Sequence, residues 1–251
     1  MARRHHRVGR GAHRDALRPW PTCRWPMSVR IVAARLPADL ATLDRGGWSP
    51  ASAARAAMIA RKHRAIDRVR SRMADYLLHH VCGAPAGYDH IGRPIHPTGA
   101  GASASHDGVW VVAATARYAI GVDVVAIDRA SSIPNSAFDA LELTRIGKVV
   151  TSEAQLLKAR IWAAKEAHLK RLGIGLLRHP GTIVSSPSAR HIRILDGNDS
   201  SCVALQSLDA SHILAVTVLD ENTGVQLLEY TAPIDARRYL ARTRYSAPER
   251  T

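Results

Sequence analysis

The sequence predicts an α+β fold, and three observations predict it. Two long helical segments, 51–81 and 151–172, stand well apart in the chain. Runs rich in β-branched residues come before and after each of them, as 28–34, 109–116 and 118–127 and then 191–195, 202–207, 212–219 and 224–229. The two halves also echo one another, each reading strand, helical segment, strands, although no sequence repeat accompanies the echo.

In order along the chain, Met27 opens Ser28-Val29-Arg30-Ile31-Val32-Ala33-Ala34, which reads as a strand. Ser49-Pro50 offers a helix start, with an N-cap serine and proline at the first helical position. The Ala-, Arg-, Met- and Leu-rich stretch Ala51–Val81 then reads as one or two helices, broken at Gly83–Gly87. Residues 88–102 form a Gly/Pro-rich connector. The strand at 109–116 and the next at Tyr118–Ile127 are separated by only Ala116-Arg117, which predicts an antiparallel hairpin. A loop and a weak helix occupy 129–148. Thr151 or Ser152 caps a helix running to Leu172, with Gln155 as the capping-box partner of Ser152 and Gly173 and Gly175 as its end.

Composition narrows the classes. At 251 residues the chain makes one large domain or two small ones, with 46% hydrophobic residues to fill a core. No apolar run approaches the ~18–20 residues of a membrane span, so no membrane partner is expected. The formal net charge of +14 favours polyanionic or acidic partners. Part of that charge sits in residues 1–26, which hold seven Arg and one Asp without apolar periodicity and read as a disordered basic leader; without them the body keeps about +8. Met27 is the expected natural start, or else the leader is dispensable. Three cysteines, Cys23, Cys82 and Cys202, are odd in number and far apart, which fits a reducing cytoplasm better than a disulfide or zinc framework. Residues 236–251 read as a charged tail.

The chemistry concentrates in two segments. Gly121-Val122-Asp123-Val124-Val125 places a carboxylate in an apolar run, where an acid is costly unless a cation meets it. Trp162-Ala163-Ala164-Lys165-Glu166-Ala167-His168-Leu169-Lys170 is helical, with Glu166 and Lys170 spaced i,i+4 on one face. Two carboxylates on separate elements with lysines beside them suit a Mg²⁺-bound diphosphate. The oxygens hold the hard cation and the ammonium groups hold phosphate oxygens.

These residues resemble the 4′-phosphopantetheinyl transferase superfamily in its longer, Sfp-type form, which carries G-(I/V)-D and then W-x-x-K-E-(A/S)-x-x-K. Ser105-His106-Asp107-Gly108 before a Val-rich strand is similar to the family's S-H-S-G. Gly92-Arg93-Pro94 resembles its G-K-P, Arg70-Ser71 its basic-plus-hydroxyl pair, and Gly173-Ile174-Gly175-Leu176 its G-x-G-L. The resemblance spans roughly 28–230, with the motifs in the expected order. It implies a pseudo-dimer of two similar α/β halves, 27–116 and 117–235, with the site in the cleft between them, and a monomer. It also implies the reaction: the 4′-phosphopantetheine arm of coenzyme A moves to a serine of an apo acyl or peptidyl carrier protein, releasing adenosine 3′,5′-bisphosphate.

On this resemblance Asp123 and Glu166 ligate Mg²⁺, and Glu166 also suits the role of base. Lys170 neutralises the diphosphate and Lys165 assists it. Ser105 and His106 donate to phosphate oxygens, while Arg55, Arg70, Ser71 and Arg93 serve the 3′-phosphate and adenine end. Two positions depart from the family pattern. Val125 stands where many members have a second acid, so water is expected to complete the ion's shell. Asp107 stands where the family often has Ser and adds negative charge near the phosphates. Trp162 and His168 read as structural. Two other readings compete with a transferase. A superfamily member without activity is prompted by Val125. A nucleic-acid binder is prompted by pI ≈ 10.6, but no recognition helix, zinc spacing or aromatic stacking motif supports it, so no nucleic-acid partner is expected.

Overall fold

The computed structural model describes residues 28–36 and 52–230. The leader, the Ser49-Pro50 helix start and the tail lie outside the described residues. Among the described residues eleven strands form two main sheets and a small hairpin. The first sheet has the order β11-β1-β5-β4, from β1 (Val29–Arg35), β4 (Gly101–Asp107), β5 (Trp110–Ala116) and β11 (Val225–Tyr230). The second has the order β6-β10-β9-β8-β7, from β6 (Val122–Ala126), β7 (Val184–Pro187), β8 (His191–Asp196), β9 (Asp199–Ser207) and β10 (His212–Val218). The hairpin pairs β2 (Gly87–Tyr88) with β3 (Pro94–Ile95). No described helix is long and apolar enough to cross a membrane.

Strand alternation, with side chains pointing to opposite faces at every step, accounts for the layering. Val32 and Ala34 of β1 meet Val111 and Ala113 of β5 under the helix α2 (Ala65–Cys82), whose Val69, Met73, Leu77 and Leu78 complete that cluster. The other face of the first sheet, with Ile31, Val112 and Ala114, shares a cluster with Val122 and Val124 of β6 and Leu214 and Val216 of β10. Ile213, Ala215 and Val125 face the opposite way and pack with Ala159, Ala163 and Ala167 of the helix α4 (Thr151–Leu172). The layers therefore run α2, first sheet, second sheet, α4. Although β11 follows the second sheet in sequence, it pairs with β1 in parallel, so the chain's last described strand returns to the first sheet.

The stretch expected as one or two helices forms two, α1 (Ala53–Ala60) and α2, with Ser52 capping α1 by accepting from Arg55 N–H at 3.1 Å. Other expectations need correction. The hairpin expected at Ala116-Arg117 does not form. β5 is a central strand, paired antiparallel to β1 on one side and β4 on the other, and has no edge left for β6, which pairs with β10. Residues 101–107, the first two of which fall within the expected connector, are strand β4, and the chain turns at Gly108 (φ 53°). β7 had no sequence signal. α4 starts two residues earlier than a Ser152 cap requires and one earlier than a Thr151 cap: Val150 is the N-cap and provides no side-chain hydrogen bond, so Thr151 and Ser152 both sit inside the first turn. The capping box occurs instead on the short helix α3 (Ala140–Gly147), where Asp139 accepts from Leu141 and Glu142 N–H and Glu142 accepts from Asp139 N–H.

Candidate active site

β4 and β6 are edge strands of different sheets, and side chains join them. Ser103 Oγ accepts from Val122 N–H at 3.1 Å, Ser105 Oγ from Val124 N–H at 3.4 Å, and Asp107 Oδ2 from Ala126 N–H at 2.9 Å. The period of two on each strand matches rung for rung. Three polar side chains thus satisfy backbone donors that an unpaired edge would leave open. This junction fixes Asp123 beside Ser105.

α4 comes to the same place because Gly121 lets it approach. A Cβ at Gly121 would lie 1.8 Å from the Ala167 carbonyl oxygen and 2.6 Å from Arg171 N, so the helix backbone rests directly on the start of β6. Lys170 then donates to Asp123 Oδ1 at 2.6 Å and to Ser105 Oγ at 2.9 Å, while Ser105 Oγ donates to Asp123 Oδ1 at 2.7 Å. Asp123 is buried and Lys170 is only partly so. Glu166, one turn before Lys170, has a buried Oε1 with no hydrogen-bond partner. Its carboxyl is pushed up to about 7, first by burial and then by the nearby Asp123 charge, with Lys170 pulling the other way. Two acids therefore lie near one another, with the Lys170 ammonium paired to Asp123.

An orphaned carboxylate oxygen facing a second carboxylate fits a cation site. Among the described residues no third Asp, Glu, His or Cys joins the pair. An ion held here would take its remaining ligands from water and a bound anion, which Mg²⁺ accepts readily. Val125, at the position where a further acid was considered, is buried in the apolar cluster under α4.

Next to the acids lies a group of cations. His106 points to the α2 side of β4. Its imidazole is lowered to about 4 by burial first and then by the charges of Arg70, Lys62 and Lys170, so it is neutral near pH 7. A neutral ring ringed by three cations is an arrangement that a polyphosphate completes. Arg70 also donates to the Gly108 carbonyl and pairs with Asp67 at 3.2 Å. Lys62 was missed from sequence. The signal available was the basic run Arg61-Lys62-His63-Arg64 at the break between α1 and α2. The charge of Asp107 is offset locally, by the Gly108 and Ala126 N–H groups and an ion pair with Arg129.

Asp123, Glu166, Lys170, Ser105, His106 and Arg70 thus come together. Four other candidates stand apart from them. Arg55 grips Asp75 through Nε and Nη2 at 2.9–3.1 Å and lies over the Tyr88 ring. Ser71 is buried in α2, donating to the Asp67 carbonyl at 2.8 Å. Arg93 reaches the C-terminus of α4, donating to the Arg171 carbonyl at 3.2 Å. Lys165 is fully buried and spends its donors on Glu142 Oε2 at 2.6 Å, Pro180 O at 3.0 Å and Ala137 O at 3.1 Å. Trp162 packs half-buried against the α4 core. His168 is buried between Ser201 Oγ at 2.9 Å and Asp196 Oδ2 at 3.3 Å, tying α4 to β8 and β9.

Residues 119–217 match the family model of the 4′-phosphopantetheinyl transferase superfamily, a span that starts just before β6 and ends in β10, with all of α4 inside it. No curated protein matches the chain significantly.

Proposed function

We propose that this protein transfers the 4′-phosphopantetheine arm of coenzyme A to a serine of an apo acyl or peptidyl carrier protein, with Mg²⁺ as the metal. The observation that carries the reading is the orphaned Glu166 carboxylate set against Asp123 with Lys170 alongside, inside the segment that matches the transferase superfamily.

Asp123 and Glu166 would hold the ion. When bound, it supplies positive charge to the diphosphate oxygens. Lys170 is placed to turn from Asp123 to the diphosphate and to steady the charge that builds on the departing phosphate. Ser105 and His106 donate to phosphate oxygens, and Arg70 with Lys62 holds the phosphorylated nucleoside end. The serine oxygen bonds to the pantetheine-side phosphorus while the bond from that phosphorus to the bridging oxygen breaks. Adenosine 3′,5′-bisphosphate leaves with the electron pair. The serine proton passes to Glu166, directly or through a water. Excess positive charge on the chain favours an acidic carrier surface.

The test is direct. Purified protein with Mg²⁺, coenzyme A and an apo carrier protein should add the mass of the phosphopantetheine arm to the carrier, and Glu166→Gln should nearly abolish the gain with the fold intact. Absence of any mass gain across several acyl and peptidyl carriers overturns the reading.

A further inference from the structure

We infer that Arg93 is a positioning residue that acts through α4, holding the end of the helix on which Glu166 and Lys170 stand. The inference rests on the proposed transfer reaction and adds to it a role different from the phosphate contact that the motif resemblance implies for this arginine.

Helix ends leave carbonyls without intrahelical donors. At the end of α4, Leu169 O accepts from Gly173 N–H at 3.0 Å and Ile174 N–H at 3.3 Å, and Lys170 O accepts from Gly173 N–H at 3.2 Å. The next carbonyl, that of Arg171, accepts from Arg93 Nη2 at 3.2 Å. A cation there also meets the negative end of the helix dipole. Gly173 has φ 75°, and a Cβ on it would lie 2.2 Å from Arg93 Nη1, so the guanidinium fills the space that a side chain would take.

The arginine is itself presented rigidly. Asp89 Oδ1 accepts from Arg93 N–H at 2.8 Å and Asp89 N–H donates to Arg93 O at 3.0 Å, which closes the β2–β3 turn around it. Pro94 follows and starts β3. A locked turn from the chain's first half thus reaches the last turn of a helix from its second half, one residue beyond Lys170. Any shift of that helix end moves Lys170 Nζ off Asp123 and Ser105, and a displacement near 1 Å can cost about a hundredfold in rate.

The test measures steady-state transfer alongside amide hydrogen exchange at Gly173 and Ile174, which needs no turnover. Arg93→Met should lower kcat about ten-fold, raise the coenzyme A KM by less than Lys170→Ala does, and speed exchange at both amides about five-fold. Arg93→Lys, which keeps a cationic donor, should recover part of both effects. Gly173→Asn, whose side chain tolerates the left-handed backbone but intrudes on the guanidinium, should reproduce Arg93→Met. A raised coenzyme A KM in Arg93→Met with kcat and exchange unchanged overturns the inference and assigns Arg93 to the phosphates. A wild-type protein that transfers nothing overturns the proposed function instead, and the exchange data still decide whether Arg93 holds the helix end.

Discussion

Replacing Glu166 with Gln tests the acid pair without any substrate. The Glu166 carboxyl rises from its ordinary 4.5 to about 7 in the folded protein, through burial and the Asp123 charge. Between those values the folded state keeps a proton that the unfolded chain has lost, so stability falls as pH rises through this window. The full rise corresponds to about 3 kcal/mol, present below pH 4.5 and lost above pH 7. Glutamine has the same shape and does not titrate, so its stability has no such term. The measurement is urea unfolding of wild type and Glu166→Gln in EDTA at intervals from pH 4.5 to 8. Subtracting one curve from the other cancels the remaining ionisable groups. Glu166→Gln should gain on wild type steadily across the window, by about 2–3 kcal/mol at pH 8. Millimolar Mg²⁺ should then raise wild type and leave the variant nearly unmoved, because only the wild type keeps both carboxylates. Parallel stability curves would refute the reasoning, since an acid far from Asp123 or in open solvent has no cause to shift.

The remaining predictions concern the site's supports. Lys170→Ala should raise the coenzyme A KM about ten-fold with the carrier KM unchanged, read from transfer kinetics with each substrate varied in turn. Gly121→Ala should lower the melting temperature by at least about 5 °C and cut transfer, because its methyl group would meet the Ala167 carbonyl at 1.8 Å; circular dichroism melts check it. Lys165→Met should cost about 3–5 kcal/mol by stranding the fully buried Glu142, and Lys165→Met with Glu142→Leu should regain most of that loss in urea denaturation.

What could be seen in the sequence was set by chemistry that constrains residue type and spacing together. Asp123 in an apolar run demanded a cation, and Lys170 meets it at 2.6 Å. Glu166 and Lys170, four apart, had to share a helix face. The expected run of strands after α4 appears as β8 to β11. β4 was missed because Gly101-Ala-Ser-Ala-Ser-His-Asp107 lacks the β-branched residues that mark strands. It is a strand because its alternate side chains, Ser103, Ser105 and Asp107, close the β6 edge. That partner lies about nineteen residues along the chain and in another sheet. The same non-local pairing defeated the hairpin, since nothing in 109–127 alone reveals that β5 is already flanked on both sides.

Lys165 is the instructive misplacement, because helix geometry alone argues against its expected role. Lys165 and Lys170 are five residues apart, which turns their side chains about 140° from one another around the axis. If Lys170 faces Asp123, Lys165 cannot. It points instead toward α3 and the turns at Ala137 and Pro180, where Glu142 and two carbonyls absorb its charge in the interior. The two lysines of one motif therefore divide the work. Lys170 stands on the more open side of α4 beside Asp123, and Lys165 braces its closed side. Val125 follows the same logic on β6. It shares the α4-facing side of the strand with Asp123 but lies within the apolar cluster, among Phe138, Ala163 and Ile213. The boundary between polar site and dry core runs between positions 123 and 125, so an acid at 125 would be buried in that cluster with no ammonium of its own, and two carboxylates are what this architecture has room for.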